Sequence, residues 1–490
     1  MDRDLPKRVV MLSELGHELG CTTMGEVEIT GITHDSSRVQ PGDLFVAIPG
    51  ITKHGIEFLD QAISHGAVAV ASDQSGLDLI SGNEIPRITF TEPRRQMALA
   101  ASVVFDHPEA KLKIIGVTGT NGKTTVTHMI KNILTNARYR VGLIGTLGTF
   151  INDELIPSVR TTPESTDLYA LLAKMVNDKI EVVVMEVSSH ALELMRVEGL
   201  TFEVAVFTNL SQDHLDFHQD MESYFAAKAK LFSKDKSKFA IICTDDEWGK
   251  RLADSLQIDK QTIGQADNPD ILISQIESAE TRSNFHLRIA QQELSGELNR
   301  PGKFNVVNAV EALAVATRLG VSLELGLSQL STLPQVPGRL EMLQLPNGAV
   351  AVVDYAHTPD AVENVLTELR QSCQGRVITV MGCGGDRDKS KRSHMGKIAS
   401  KLSDICIVTD DNPRSEAAEE IRNQVISATD PNNTQEVADR RLAIRQAIAL
   451  SAQNDFVVVL GKGHEQGQEI SGTVYPFDDR EVILQESSNA

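Results

Sequence analysis

Ten residues, Gly116-Val-Thr-Gly-Thr-Asn-Gly-Lys-Thr-Thr125, hold the pieces needed to grip a phosphate chain. Glycines let backbone N–H groups approach phosphate oxygens closely, and a helix N-terminus behind them adds its dipole. Lys123 is placed to reach the terminal phosphates and Thr124 to ligate magnesium, with Gly119, Thr120, Asn121, Gly122 and Thr125 completing the loop. The spacing is shorter than in the general phosphate loop: five residues before Gly122 stands Val117, and the nearer glycine is Gly119. A purely structural glycine turn is the competing reading. Gly-Lys-Thr-Thr between a strand and a helix favours nucleotide binding over it.

A lysine supplies the second candidate. Met221-Glu-Ser-Tyr-Phe-Ala-Ala-Lys-Ala-Lys-Leu-Phe232 has helical periodicity, with Met221, Tyr224, Phe225, Leu231 and Phe232 on one apolar stripe. Lys228 falls on that stripe and Lys230 does not. An inward cation is costly unless it is paired, chemically altered, or snorkels its head to water. Met185-Glu-Val-Ser-Ser-His190 and Thr208-Asn-Leu-Ser-Gln-Asp-His-Leu-Asp-Phe-His218 each follow a strand, which could bring Glu186 and His214 beside the phosphate loop as a second magnesium site. A free ammonium there would repel the cation, whereas a lysine carbamate would offer it two anionic oxygens, the ligands hard magnesium prefers. The candidate metal set is therefore Thr124, Glu186, His214 and Lys228 as its carbamate, and the candidate catalytic residues are Lys123, Lys228 and His214. His190 and His218 read equally well as ordinary core or surface histidines.

These groups need strands to position them. Lys113-Ile-Ile-Gly-Val-Thr118 opens a strand-loop-helix pattern, and buried-looking strands recur at Tyr139–Ile144, Glu181–Glu186, Val204–Thr208 and Phe239–Cys243, separated by helical periodicity. That predicts a parallel α/β sheet. A second series, Val350–Asp354, Arg376–Met381, Asp404–Thr409 and Asp455–Leu460, follows Val336-Pro-Gly338 and predicts a separate Rossmann-like domain. Residues 1–105, with short apolar runs such as Asp43–Ile48 between turn signals, form a third unit. The expected division is 1–105, 106–335 and 336–490.

Composition narrows the class. A chain of 490 residues, 41% of them hydrophobic, exceeds a single core and suits about three domains. A net charge of −20 argues against nucleic acid as a partner, while a local basic pocket could still hold a small anion. The five cysteines are odd in number and lack paired metal-ligand spacing, which favours a reducing cytosol over a disulfide framework. Met1-Asp-Arg-Asp-Leu-Pro-Lys has no apolar h-region, and no stretch is long enough to span a bilayer. A cytoplasmic monomer without membrane insertion is expected.

Taken in order, the phosphate loop, Glu186-Val-Ser-Ser-His, the Ala227-Lys228 helix, Gly302-Lys-Phe-Asn-Val-Val-Asn308, Pro337-Gly-Arg339 and Asp354-Tyr-Ala-His-Thr-Pro359 resemble the Mur ligase family over nearly the whole chain. The resemblance implies an N-terminal domain for a UDP-sugar, a central ATPase domain and a C-terminal domain that brings an amino acid. It implies an ATP-dependent carboxylate-amine ligase acting through an acyl phosphate, with ATP, Mg2+ and a carbamylated lysine. Asn305, Asn308, Arg339, Asp354 and His357 would hold the nucleotide, although such a polar cluster could instead fasten domains together.

Within the family, Asp411-Asn-Pro-Arg414 looks like the signature for adding meso-diaminopimelate to UDP-N-acetylmuramoyl-L-alanyl-D-glutamate. The physical sense lies in a guanidinium that can grip the distal carboxylate, which lysine lacks, through two parallel hydrogen bonds. By the same resemblance Arg387, Asp411, Asn412, Pro413, Arg414, Gly461 and Glu465 form the amino-acid pocket, Glu465 accepting from the distal ammonium. Ser37, Thr161, Thr162, Ser188 and Arg196 would contact the UDP-peptide. Leu194 and Arg160 stand where some relatives carry glutamine and asparagine. Lysine-adding and dipeptide-adding members, folylpolyglutamate synthetases and, outside enzymes, a nucleotide-gated binding protein or transporter ATPase are the competing readings.

Overall fold

The computed structural model describes residues 8–50, 52–80, 84–152 and 154–488. Residues 1–7, Met1-Asp-Arg-Asp-Leu-Pro-Lys7, lie outside them. Three large sheets carry the fold. The central one has 11 strands and the C-terminal one 6, while the N-terminal one has 5, drawn from Thr22–Met24, Gly31–Thr33, Asp43–Ala47, Ala69–Ser72 and Arg87–Thr89.

The parallel part of the central sheet runs in spatial order Val141–Gly145, Val182–Glu186, Lys113–Thr118, Val204–Phe207, Phe239–Cys243, Asp259–Gly264. These strands are short β-branched runs because both faces are covered, so successive residues enter opposite cores. Ile114, Val183, Ala205 and Phe207 pack into one core, while Ile115, Val117, Val182, Val184, Val204 and Val206 pack into the other. The second core is closed by the helices Lys123–Asn136 and Lys303–Arg318. The first runs without a break into the N-terminal sheet through Ile32, Leu44 and the helix Pro93–Val104.

The chain starts in the middle at Lys113–Thr118, crosses to Val141–Gly145, returns to Val182–Glu186, then moves to the other side at Val204–Phe207. Ligands of open α/β sheets bind where strand order reverses in this way, at the carboxyl ends. Those ends carry Gly119, Glu186 and Thr208. Beyond Asp259–Gly264 the sheet continues through Ile271–Ser278 and two antiparallel strands, Ser283–Ile289 and Gln292–Leu298.

The C-terminal sheet has the order Glu341–Gln344, Val350–Asp354, Phe456–Leu460, Val377–Met381, Ile405–Val408, Thr434–Glu436, parallel apart from its first pair. Its carboxyl ends face the central cleft and deliver Tyr355, the Gly384–Ser390 loop, Asp411 and Gly461. All five cysteines are free thiols. Among the described residues no helix is long and apolar enough to cross a membrane.

Candidate active site

The phosphate loop is held from the neighbouring strand end. The N–H of Thr120 donates to the Asn209 carbonyl and that of Asn121 to Asn209 Oδ1, both at 2.9 Å, while Thr208 Oγ1 donates to the Asn121 carbonyl at 2.6 Å. Gly119 has φ +147°, and a Cβ there would lie 2.0 Å from Thr208 Oγ1, so only glycine fits. Lys123 folds back and donates to the carbonyls of Gly119 (2.9 Å) and Thr120 (2.7 Å). Burial pushes its pKa below the usual lysine value.

Thr124, second residue of the helix Lys123–Asn136, donates to Glu186 Oε2 at 3.1 Å. Glu186 also accepts from the Thr146 N–H (2.8 Å) and Thr146 Oγ1 (3.1 Å). Arg339, from the segment leading into the C-terminal sheet, donates to Thr124 Oγ1 at 3.1 Å. A hydroxyl and a carboxylate at one strand end are hard oxygen donors suited to magnesium.

Lys228 is 1% exposed, in the helix Met221–Ala229. Its ammonium does not snorkel: it donates to the Gly119 carbonyl at 2.7 Å and lies 4.5 Å from the Tyr224 ring centroid. Burial, reinforced by the Lys123 charge, draws its pKa well below the ordinary lysine value, which favours the neutral amine. His214, in the left-handed region at φ +54°, packs edge-on against His190 and Tyr224, and burial lowers its pKa to about 3. That shift favours the neutral imidazole. His218 meets Ser189 Oγ at 2.9 Å, and His190 stacks on Phe217, so both have packing roles.

One cleft of about 700 Å³ is lined by Lys123, Thr124, Glu186, His214 and Lys228, and by Asn305, Asn308, Arg339, Asp354 and His357 from the expected nucleotide set. Asn308 stands against Gly122, where a Cβ would meet its Oδ1 at 2.6 Å. Asn305 Nδ2 is occupied by the Pro301 carbonyl at 2.7 Å. The Asp354 carboxylate accepts from the N–H groups of Leu340 (2.6 Å) and Ala356 (2.8 Å), so it shapes the turns that carry Arg339 and His357.

The residues expected to touch the UDP-peptide are dispersed. Thr161 and Ser188 line the cleft. Thr162 lies behind it, donating to the Glu186 carbonyl at 2.9 Å, and Arg196 is 9% exposed, paired with Glu164 at 2.8 Å. Ser37 sits in the N-terminal unit, donating to Asp35 Oδ1 at 2.6 Å.

The amino-acid set, by contrast, is one cluster. Asp411 and Asn412 are buried at the end of Ile405–Val408, and Asn412 Nδ2 donates to Glu465 Oε2 at 2.7 Å. Gly461 has φ +109°, and a Cβ there would meet Asp411 Oδ2 at 2.5 Å. Arg414, beyond Pro413, has φ +51°. Its Nη1 donates to the Gly385 carbonyl at 2.6 Å and its Nε lies 3.4 Å from Glu469 Oε2. Arg387 is exposed on the adjoining loop, close enough for its charge to act on His190 of the central sheet.

Residues 28–118, 117–316 and 338–463 match, in turn, the Mur ligase family catalytic domain, the Mur ligase middle domain and the Mur ligase glutamate ligase domain. A UDP-N-acetylmuramoyl-L-alanyl-D-glutamate--2,6-diaminopimelate ligase of Streptomyces avermitilis is 42% identical over 96% of this chain and 95% of its own length. The chain belongs to the Mur ligase family. A diaminopimelate ligase 1 of Clostridium acetobutylicum is 41% identical over 96% of this chain and 97% of its own. A solved diaminopimelate ligase structure is 31% identical, with a TM-score of 0.67 over 94% of this chain and 95% of that one. A Thermotoga maritima MurF ligase in complex with ADP, 18% identical with a TM-score of 0.66, covers 94% of this chain and 97% of that one and shares the fold.

Several groups that shape this Mur ligase site escaped the motif reading. Asn209 latches the phosphate loop, and Thr146 orients Glu186. Asp213, 7% exposed, faces His357 and Lys391 of the C-terminal sheet, each at 3.7 Å. Burial pushes its carboxyl up, but the His357 and His214 rings and the Lys391 ammonium outweigh that and hold it well below the carboxylate range. Asn209 had a usable signal, as a polar residue just past a parallel strand. The partners of Asp213 are remote in sequence and left none.

Proposed function

We propose that the chain adds meso-diaminopimelate to UDP-N-acetylmuramoyl-L-alanyl-D-glutamate with ATP, in cytoplasmic synthesis of a peptidoglycan precursor. The observation that carries this reading is Arg414, held by Gly385 and Glu469 two residues beyond the Asn412 that donates to Glu465, so that one loop region offers a cation and an anion to an amino acid with a charged distal end. Near end-to-end kinship at 41% to 42% identity with diaminopimelate ligases supports it.

In this reading residues 1–105 take the UDP-sugar, 106–335 the ATP, and 336–490 the amino acid. Ser37, Thr161, Thr162, Ser188 and Arg196 serve the UDP-peptide, Thr161 and Ser188 from the cleft wall, Thr162 and Arg196 from behind it and Ser37 from the N-terminal unit. Lys123 leaves the loop carbonyls for the terminal phosphates and neutralises charge on the phosphoryl group as the D-glutamyl side-chain carboxylate attacks it. Backbone N–H groups of the loop and the helix N-terminus hold the other phosphates. Asn305, Asn308, Arg339, Asp354 and His357 frame the nucleotide.

Thr124, Glu186, His214 and carbamylated Lys228 would hold magnesium, which supplies charge neutralisation between substrate and phosphate oxygens. Lys228 suits the modification because its desolvated amine is biased to the neutral form. A carbamate nitrogen also keeps one N–H for the Gly119 carbonyl. Arg414 and Arg387 orient the amino-acid carboxylates and Glu465 its distal ammonium, so that the amine meets the acyl phosphate correctly aligned and the peptide bond forms as phosphate leaves.

The deciding test is phosphate release with ATP, magnesium and UDP-N-acetylmuramoyl-L-alanyl-D-glutamate, offering meso-diaminopimelate or L-lysine in parallel and weighing the product by mass spectrometry. Turnover with diaminopimelate alone is expected. Turnover with lysine instead would overturn the reading of Arg414, and turnover with neither would point to another carboxylate-amine pair.

A further inference from the structure

Lys462 follows the strand Phe456–Leu460 by two residues, and its side chain is wholly buried. A buried ammonium is tolerated only where its donors are all met. This one donates to Asn412 Oδ1 (3.1 Å), Glu465 Oε2 (3.1 Å) and the Gly467 carbonyl (2.5 Å). Two of those three partners are residues already assigned to the amino-acid pocket, yet Lys462 has no place in that assignment.

The bonds impose an orientation. Asn412 Oδ1 accepts from Lys462 and from the Glu469 N–H (3.0 Å), which fixes its amide so that Nδ2 points to Glu465. Both internal donors to the Glu465 side chain, Lys462 Nζ and Asn412 Nδ2, land on Oε2. Among the described residues no donor meets Oε1, and the Glu465 side chain keeps 29% of its exposure. The Gly467 carbonyl ties the same ammonium to the hairpin Gly467–Ile470 and Thr473–Pro476, whose Glu469 braces Arg414.

We infer that Lys462 is the positioning residue of the amino-acid site: it holds Glu465 as a carboxylate with one oxygen committed and one presented to the incoming ammonium. The inference rests on the proposed function above and deepens it. Lys462 does not touch the substrate, and its effect passes through Glu465 and Asn412. Removing it leaves Glu465 free to turn and weakens capture of the amino acid, with the phosphate loop on the central sheet left as it is.

A double-mutant cycle over Lys462→Met and Glu465→Gln separates this from a structural role, because coupled residues are non-additive and independent ones add. Lys462→Met keeps the aliphatic stem and should raise KM for diaminopimelate about 10- to 100-fold, as expected for loss of a charged hydrogen bond. KM for ATP should stay unchanged. The double variant should be no worse than Glu465→Gln alone. Lys462→Gln, which can still donate to Glu465, should recover part of the loss, and ADP affinity reports whether each variant is folded. Additive losses, or a parallel rise in KM for ATP, would overturn the inference. Failure of the wild type to use diaminopimelate would instead overturn the functional reading beneath it.

Discussion

Asp213 and Lys391 face each other across the seam between the central and C-terminal sheets, with 3.7 Å between carboxylate and ammonium. Their side chains keep only 9% and 11% of their exposure, and His357 approaches the same carboxylate at 3.7 Å. Asn121 of the phosphate loop adds a 3.0 Å bond to Asp360. The central and C-terminal sheets are thus drawn together by groups that flank the cleft.

Asp213→Asn keeps the shape and removes the charge that attracts Lys391. Truncating one partner of a buried pair costs about 3–5 kcal/mol, so the seam should open. Small-angle scattering should show a more extended particle, and kcat/KM should fall at least about tenfold. ADP affinity should fall far less than kcat/KM, because the hydrogen bonds that hold the phosphate loop come from Thr208 and Asn209. An unchanged profile at full activity would show that this contact does not hold the two sheets together.

Lys228 sits where neither a plain ammonium nor an apolar side chain serves a magnesium site well. Lys228→Met should lower kcat by on the order of 10³-fold, comparable to losing a preorganised electrostatic group, with the fold retained. Labelling the wild type with 13C-bicarbonate should give a carbamate carbon resonance that Lys228→Met lacks. Full activity in rigorously CO2-free buffer, without that resonance, would return Lys228 to a structural role.

Arg414→Ala should cost about 100-fold in kcat/KM for diaminopimelate, as expected for a site that loses its partner for a substrate carboxylate. Its activity with L-lysine, relative to diaminopimelate, should rise. Arg414→Lys should rescue little, since an ammonium cannot make two parallel bonds. Parallel kinetics with the two amino acids decide it.

His128 has a proton budget that acid should expose. Burial, with Lys131, Arg339 and Arg300 opposing a further positive charge, lowers its pKa from 6.5 to about 3, and burial takes His464 to about 3 as well. The unfolded chain therefore binds more protons than the native one between these values. The stability each neutral histidine protects is complete above about pH 6.5 and is lost as the pH falls toward 3, about 2 kcal/mol per histidine by pH 5. Denaturant midpoints at pH 7.5, 6 and 5 should fall steadily, and His128→Leu should flatten the slope. A slope equal to that of the wild type would show that His128 is not the group responsible.

The strands that hold the site were legible because their sequences leave no choice of face. Lys113–Thr118, Phe239–Cys243 and Val350–Asp354 are continuous apolar runs bounded by polar residues, and the structure begins and ends them at the expected positions. The antiparallel extension Ile271–Leu298 was not legible: its strands alternate half-buried and exposed residues around a bulge between Ser274 and Glu277, a weak signal beside the parallel core. Lys228 announced itself by standing on an apolar stripe. Lys462 did not, since its burial is created by Asn412 and Glu465, which come together only when separate strand ends of the C-terminal sheet meet.

Farther below the amino-acid cluster, Arg440 and Asp479 form an ion pair with no exposure at either side chain, the Nε and Nη2 of one guanidinium edge each donating to a carboxylate oxygen at 2.7 Å. Arg440 also donates to the Leu460 carbonyl at 3.0 Å, just before Gly461. Asp479 opens the helix Asp479–Ser487. The helix Asp479–Ser487 thereby braces the C-terminal sheet from beneath: clipping it would strand a buried guanidinium under the loop that carries Lys462 and Glu465. Selectivity among amino acids should fade before the ability to bind nucleotide does.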